Sequence, residues 1–212
     1  MFDEQPFSLT PVNFFALAFD CHYLAKKDSA PSFTKCLLPN TTNLCHEYSF
    51  AKVAMGWHED GLAFHLQIDQ PFIKSTFPDV TRGDSIELMI DTRDLKSAGF
   101  NTRFCHHFYF LPKPVDEHHY GEITRFRTED RHDLCDSHLL QFEPQFGKDG
   151  YKVKIFIPSQ CLYGYDPKQF DRLGFTYRIN RTGGKPQHFS VISQEYQIDQ
   201  QPSLWSSLRL IK

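Results

Sequence analysis

Residues 82–111 have the sequence RGDSIELMIDTRDLKSAGFNTRFCHHFYFL, and this stretch decides the fold class. It contains two runs in which side-chain types alternate with a period of two, from Ile86 to Asp91 and from Phe104 to Phe110. Successive side chains of a β-strand point to opposite faces of a sheet, so the alternation predicts two strands. The polar loop between the runs predicts that the strands form a β-hairpin at the centre of a sheet.

The alternation also assigns the side chains of this hairpin to two faces. One face is predicted to meet a hydrophobic core, and its residues are Ile86, Leu88, Ile90, Phe104, His106, Phe108 and Phe110. The other face is predicted to be polar, and its residues are Glu87, Met89, Asp91, Cys105, His107 and Tyr109. We therefore expect one side of the sheet to pack and the other side to carry chemistry.

Similar alternating segments recur through most of the chain. They are residues 49–57 with 62–69, residues 139–146 with 151–158, residues 170–181 and residues 203–212. Two antiparallel sheets packed face to face bury one face of each sheet. The sequence therefore predicts an all-β fold, a jelly-roll-like antiparallel β-sandwich that is immunoglobulin-like in broad architecture and has few short helices.

The length of 212 residues suits one large β-domain with a sizeable core. Four prolines interrupt the first 45 residues, and proline breaks the hydrogen-bond ladder of a sheet. We predict a single domain, 1–212, in which residues 1–45 wrap around a sandwich formed by residues 46–212.

Charge and hydropathy argue against several classes of partner. The formal net charge is −3, from 23 Lys and Arg residues against 26 Asp and Glu residues, and the basic residues are scattered. This balance argues against binding to nucleic acid or to an anionic membrane.

No apolar run approaches the roughly 18 residues of a membrane span. The amino-terminal sequence MFDEQPFSL is acidic where a secretory signal would be basic, so a cytoplasmic location is expected.

Six cysteines are spread along the chain without any CxxC pair. They are Cys21, Cys36, Cys45, Cys105, Cys135 and Cys161. A chain of this size does not need disulfides to supplement its core, and wide spacing suggests no disulfide framework. We therefore expect reduced thiols.

The order of the strand motifs resembles a known family. A hairpin with tryptophan at its turn, AMGWHEDGLAFHLQID, is followed by GDSIELMID, by a F-x-F strand, by YKVKIFIPSQCL and by LGFTYRINR. This order is similar to that of the family 9 carbohydrate-binding modules and of the wider DOMON-like sandwiches, over residues 51–181 and 204–210. The resemblance implies a β-sandwich that binds carbohydrate. Sugar-binding members of the family hold the sugar between tryptophans, and this chain has two, Trp57 and Trp205.

The non-core side of the predicted central strands would form a concave polar bed. Its members are His65, Gln67, Asp69, Glu87, Met89, Asp91, His107, Tyr109, Arg178 and Asn180. The predicted ligand-binding residues are Asp69, Glu87, Arg103, His107, Tyr109 and Arg178. The arginines would grip a ligand, the carboxylates would accept hydroxyl hydrogen bonds, and the histidine and tyrosine would stack. Arg125 and Arg127 are expected to reach the same face. The alternative is an ordinary solvated sheet face.

Two kinds of metal are conceivable, although no cofactor is firmly implied. The segment HDLCDSH offers His132, Cys135 and His138, and zinc takes imidazole and thiolate ligands. Calcium could instead be held by Asp69 and Asp91 with loop carboxylates, although the chain has no D-x-D-x-D-G loop.

These observations favour non-catalytic binding of a carbohydrate or a similar polar small ligand. The chain contains no G-x-S-x-G and no HExxH motif. Glu87 and Asp91 would stand roughly 13 Å apart on one strand, too far for glycoside hydrolysis. Two alternatives stay open: a protein–protein interaction module, and a sugar-modifying or metal-assisted enzyme. The resemblance to DOMON-like sandwiches, some of which hold haem through methionine and histidine, implies a further alternative, a haem held by Met89 and His107.

Overall fold

The computed structural model describes residues 18–26, 29–42, 47–189 and 196–212, and these are all-β. The strands are β1 (Ala18–Tyr23), β2 (Ala51–His58), β3 (Gly61–Ile68), β4 (Ser85–Asp91), β5 (Cys105–Val115), β6 (His118–Glu122), β7 (Gln141–Phe146), β8 (Tyr151–Pro158), β9 (Arg172–Asn180), β10 (Gln187–His188) and β11 (Ser206–Ile211). Short 3-10 turns occupy Val80–Arg82, Ser137–Leu139, Ser159–Cys161, Ile198–Gln200 and Pro202–Leu204. In these ranges no helix has the length and apolarity to cross a bilayer.

The strands follow one hydrogen-bonded path that folds back on itself. Its order is β6-β5-β4-β9-β11-β1-β2-β3-β8-β7, and β10 pairs with β9. Phe64 of β3 stacks on Phe175 of β9 with ring centroids 5.8 Å apart, and Phe110 of β5 meets Phe142 of β7 at 5.3 Å. These contacts join the two halves of the path face to face, so the predicted β-sandwich is confirmed.

The strand β1 connects the two halves of the sandwich. It pairs in parallel with β11 on one side and with β2 on the other. The other named strand pairs are antiparallel. The prediction of antiparallel sheets therefore holds except at β1, which lies within the first 45 residues. The rest of that segment includes residues 1–17, 27–28 and 43–46, which lie outside the described residues.

The hairpin predicted from residues 82–111 is formed by β4 and β5. Most of its predicted core row is fully buried in the main cluster, namely Ile86, Leu88, Ile90, Phe108 and Phe110. His106 belongs to the same row and is also buried, with its Nδ1 2.9 Å from Glu122 Oε1. The core row thus includes one polar side chain, whose Nδ1 is paired with a carboxylate from β6.

The outer face of β4, β5 and β9 is covered, which corrects the expectation of an open polar bed. One apolar cluster on this face comprises Met89, Cys105, Ile198 and Trp205, flanked by Tyr196 and Leu204. A second comprises Val80, Tyr109 and Leu111, flanked by Phe77, Val115 and Ile123. The members of these clusters that lie outside the strands form an outer layer over the sheet. The sheet is reached through a pocket in this layer.

Two of the five cysteines that the structure describes are oxidised. Cys135 and Cys161 form a disulfide with a Cα–Cα distance of 4.9 Å, which links the segment before β7 to the turn after β8. The expectation of reduced thiols is therefore wrong for this pair. The fold brings the two cysteines together, and their spacing in the sequence gives no sign of this contact. Three cysteines are free and buried, namely Cys21, Cys36 and Cys105. Cys45 lies outside the described residues.

Peptide mapping tests this disulfide. When the denatured chain is alkylated and digested without reductant, the peptides that carry Cys135 and Cys161 should be recovered as one linked species. Reductant before alkylation should release both peptides in alkylated form. Recovery of both as separately alkylated peptides without reductant would contradict the pairing.

Glu122, at the end of β6, is a buried carboxylate that contributes to stability. Burial raises its pKa, but hydrogen bonds from His106 and His132 outweigh burial and bring the pKa to about 2 from the ordinary value of 4.5. A carboxyl group whose pKa falls on folding stabilises the fold above its unfolded pKa, and it loses this contribution as the pH falls through its folded pKa. The shift corresponds to about 3 kcal/mol at neutral pH.

The free energy of unfolding should therefore decrease as the pH falls from about 4.5 towards 2. Replacement of Glu122 by Gln should make this decrease shallower, because the variant has no carboxyl group to titrate there. Urea unfolding followed by circular dichroism at several pH values between 7 and 3 measures the slope. Glu143→Gln, at an exposed position on β7, is the control and should keep the wild-type slope. Equal slopes in wild type and the Glu122 variant would refute the assignment.

Candidate functional site

A pocket with a volume of about 370 Å³ opens on the outer face of β4, β5 and β9. Its lining residues are Pro78, Asp79, Val80, Thr81, Glu87, His107, Ile123, Arg125, Arg178 and Asp199. The strands supply the floor, and the loops that follow residues 77, 122 and 196 supply the rim. The site is thus assembled from segments that are far apart in the sequence.

Three of the predicted ligand-binding residues, Glu87, His107 and Arg178, meet on the floor of this pocket. Glu87 on β4 lies directly opposite Arg178 on β9, and His107 lies on β5 at the other side of β4. Alternate side chains of a strand share a face, and neighbouring strands are about 5 Å apart, so the three side chains converge.

Glu87 is fully buried and accepts four hydrogen bonds. Arg178 donates through Nε to Oε1 at 2.6 Å and through Nη2 to Oε2 at 2.7 Å. His107 donates through Nε2 to Oε2 at 2.8 Å, and Asn180 donates through Nδ2 to Oε1 at 2.6 Å. Each carboxylate oxygen therefore already accepts two bonds, which fills its acceptor capacity. Glu87 orients its neighbours rather than accepting a hydroxyl as the sequence suggested.

Glu87 and Arg178 form a fixed ion pair. Burial raises the pKa of Glu87, but the hydrogen bonds and positive charge of its neighbours outweigh burial and hold the pKa well below its usual range. Burial lowers the pKa of Arg178, but the hydrogen bond and charge of Glu87 outweigh it and raise that pKa. Both groups are therefore charged at neutral pH.

The groups left for a ligand lie on Arg178, His107 and the rim. The bonds to Glu87 use two of the five guanidinium N–H donors of Arg178, so three remain. The bond to Glu87 uses Nε2 of His107, so Nδ1 is the ring nitrogen that is left for a ligand. The rim adds the carboxylates of Asp79 and Asp199 and the guanidinium of Arg125. This mixture of donors and acceptors matches hydroxyl groups, which do both.

The other predicted ligand-binding residues lie outside the pocket. Tyr109 is buried beside it and packs on Phe77 with ring centroids 5.5 Å apart, so it has no free face for stacking. Asp69 follows β3, which belongs to the opposite half of the sandwich and is separated from β4 by four strands. Arg103 precedes β5 and pairs with Asp130 at the surface. The predicted polar face included residues that do not meet in the structure, because periodicity does not reveal which half of the sandwich a strand joins.

Sequence reasoning missed Asp79 and Asp199, which reach the pocket from irregular loops. Loops have no periodicity, so no pattern in the sequence could have identified them. Arg125 lines the pocket as expected, although its segment is not a strand. Arg127 does not line it and donates through Nη2 to Gln200 Oε1 at 2.9 Å.

Neither tryptophan can form a wall of this pocket. Trp57 is 3% exposed and donates through Nε1 to the carbonyl of Ile211. Trp205 is fully buried, donates through Nε1 to the carbonyl of Ile198, and packs on Met89. Both tryptophans are used for packing, so the pocket relies on polar groups.

The predicted metal ligands are separated by the fold. The Cys135 sulfur is in the disulfide with Cys161, and His138 is exposed. The predicted zinc ligands of the H-x2-C-x2-H segment therefore do not form one site. His132 instead joins His106 and Glu122 in a group whose ligand atoms lie within 4.8 Å of one another.

The proposed calcium carboxylates are also apart. Asp91 is buried and accepts hydrogen bonds from the backbone N–H groups of Arg93 at 2.9 Å and Leu95 at 2.6 Å, so it shapes the turn after β4. Asp69 lies beyond four intervening strands and accepts a bond from Gln67. These two acids cannot contribute to one ion site.

Comparison with known proteins identifies the fold. No protein-family model matches the chain, and no curated protein matches it in sequence. Among solved structures, a family 9 carbohydrate-binding module from Caldicellulosiruptor kristjanssonii in complex with cellotriose aligns with a TM-score of 0.65 and 14% identity, over 92% of this chain and 93% of that one. A family 9 module from the same organism in complex with glucose aligns with a TM-score of 0.58 and 17% identity, over 76% of each chain. The chain therefore has a β-sandwich fold similar to that of the family 9 carbohydrate-binding modules.

Proposed function

We propose that this chain binds a carbohydrate, or a chemically similar polar ligand, without catalysis, in the pocket above Glu87, His107 and Arg178. The observation that carries the proposal is the preformed floor. The fully buried carboxylate of Glu87 holds the guanidinium of Arg178 in one orientation. Three N–H donors of this guanidinium remain for a ligand. A site that is ordered before binding loses less entropy when the ligand arrives.

The charges around the pocket favour a neutral ligand rich in hydroxyl groups. Arg178 is neutralised by Glu87, and the rim has two carboxylates, Asp79 and Asp199, against one guanidinium, Arg125. Such a pocket does not attract phosphate or sulfate groups. Its acceptors and donors instead suit hydroxyls, each of which can donate to a carboxylate and accept from a guanidinium.

The size and fold of the site are consistent with this ligand class. A volume of about 370 Å³ lies in the range of small-molecule pockets, roughly 300–1,000 Å³. The similar family 9 modules were solved with cellotriose and with glucose, which makes these two sugars suitable first probes. In this proposal Arg178 and Arg125 donate to the ligand, Asp79 and Asp199 accept from it, and Glu87 positions Arg178.

The rim arginine gives a clean test of the site, because Arg125 is exposed and its replacement should leave the fold intact. Isothermal titration with glucose, cellotriose and the best hits of a glycan array should show that Arg125→Ala weakens binding about tenfold, the effect of losing roughly one charged hydrogen bond. Arg103→Ala is the matched control, since Arg103 is also surface-exposed but lies outside the pocket. It should bind as wild type does.

Three outcomes would count against this proposal. Equal weakening in the Arg125 and Arg103 variants would indicate a nonspecific charge effect. Ligand-induced protection from hydrogen exchange around residues 145–152, which border a separate cavity on the other sheet, would move the site there. Absence of any glycan binding, together with a protein partner whose binding needs Arg125, would favour the interaction module.

Arg178 should matter for stability as well as for binding. Arg178→Ala leaves the buried carboxylate of Glu87 without its main partner, and breaking a buried pair in this way costs about 3–5 kcal/mol. Chemical unfolding should reveal this loss, and the double variant Glu87→Gln with Arg178→Ala should recover part of it, because no uncompensated charge remains. If the free energy of unfolding of Arg178→Ala lies within about 1 kcal/mol of the wild-type value, Arg178 is not needed to stabilise the buried charge of Glu87.

A further inference from the structure

A second polar cluster lies on the opposite face of β5 from the pocket. His106 on β5, Glu122 at the end of β6 and His132 in the following segment bring their ligand atoms within 4.8 Å of one another. His106 and His107 are neighbours in the sequence, so their side chains point to opposite faces of the strand. The cluster is therefore separate from the proposed carbohydrate site, which contains His107.

The hydrogen-bond partners of His132 leave its Nε2 in need of either a second proton or a metal ion. Its Nδ1 lies 2.7 Å from the carbonyl oxygen of Arg103, which can only accept, so Nδ1 carries the ring proton. In the neutral ring Nε2 then carries a lone pair, and it lies 3.0 Å from Oε1 of the Glu122 carboxylate. Two lone pairs facing each other at this distance repel. Either a second proton or a metal ion between them removes the repulsion.

The surroundings of the cluster are those of metal ligands in proteins. Metal-binding histidines usually donate their second ring N–H to a backbone carbonyl or a carboxylate, as His132 does to Arg103. Glu122 is oriented by Thr124, whose Oγ1 donates to Oε1 at 2.6 Å, and by the N–H of Cys135, which donates to Oε2 at 2.8 Å. Among the described residues, Nε2 of the buried His106 has no hydrogen-bond partner.

Two of the three distances between ligand atoms are close to those of a metal site. Nδ1 of His106 and Nε2 of His132 lie 2.9 Å and 3.0 Å from Oε1 of Glu122. In a tetrahedral zinc site with bonds of about 2.1 Å, ligand atoms are about 3.4 Å apart. His132 also lines a cavity of about 530 Å³ beside the Cys135–Cys161 disulfide. His132 is therefore the member of the cluster that lies next to open space.

We propose that His106, Glu122 and His132 form a binding site for a divalent transition metal ion, with Zn²⁺ as the best match to its chemistry. Two imidazoles and one carboxylate are ligands that zinc prefers, whereas calcium and magnesium require six or more oxygen ligands. The side chains of the three residues are at most 4% exposed, so a bound ion would be enclosed by protein on most sides.

Zinc titration of the chelator-treated, untagged full chain tests this proposal. With the disulfide intact and no reductant present, a chromogenic competitor should report one zinc ion bound per chain. His132→Gln and Glu122→Gln should each weaken binding by at least about tenfold, the lower end of the effect of removing even an outer partner of a metal ligand. His138→Gln is the matched control, because His138 is close in the sequence but exposed and outside the cluster. It should bind zinc as wild type does.

A second measurement keeps the test decisive if a variant folds poorly. Zinc at a hundredfold excess over its Kd should raise the Tm of the wild-type chain by roughly 5–10 °C, and it should not raise the Tm of His132→Gln. No saturable zinc uptake by the wild type would overturn the proposal and leave a proton shared between His132 and Glu122. Uptake that persists in the His132 variant but falls in the His138 variant would assign the ion to surface histidines and would also overturn it.

Discussion

The bidentate ion pair between Glu87 and Arg178 is the interaction on which the site depends. Removing two charges from water is costly, and a buried pair forms only where geometry and additional hydrogen bonds offset that cost. Here Asn180 and His107 complete the set of four bonds to the carboxylate. A one-residue slip of β4 would turn Glu87 towards the aromatic core, so the pair also fixes the register of β4 against β9.

A second buried carboxylate repeats this arrangement on the other face of β5. Glu87 orients His107 on the outer face, and Glu122 holds His106 and His132 beside the core. Consecutive residues of one strand thereby belong to two separate polar clusters. The period of two in β-structure separates the proposed carbohydrate pocket from the proposed metal site without any extra element of the fold.

The pocket differs from an aromatic sugar-binding cleft in the forces available to it. Trp205 fills the outer layer over Met89, and Trp57 is buried with its indole N–H bonded to the carbonyl of Ile211. In the proposed function, hydrogen bonds donated by arginines and accepted by carboxylates take the place of stacking on a tryptophan face. Such groups give selectivity for the positions of hydroxyls, while the net energy of each bond in competition with water is small.

The sequence by itself determined the strands β2 to β5, β7 to β9 and β11, the core rows of β4 and β5, and the convergence of Glu87, His107 and Arg178. These follow from the alternation of side chains, which is a local property of the chain. Only the tertiary structure decided that β3 and Asp69 belong to the opposite half, that Cys135 meets Cys161, and that loops carrying Asp79 and Asp199 cover the polar face. The physical reason is that sheet membership, disulfide partners and loop paths depend on contacts between residues far apart in the chain, which no local period encodes.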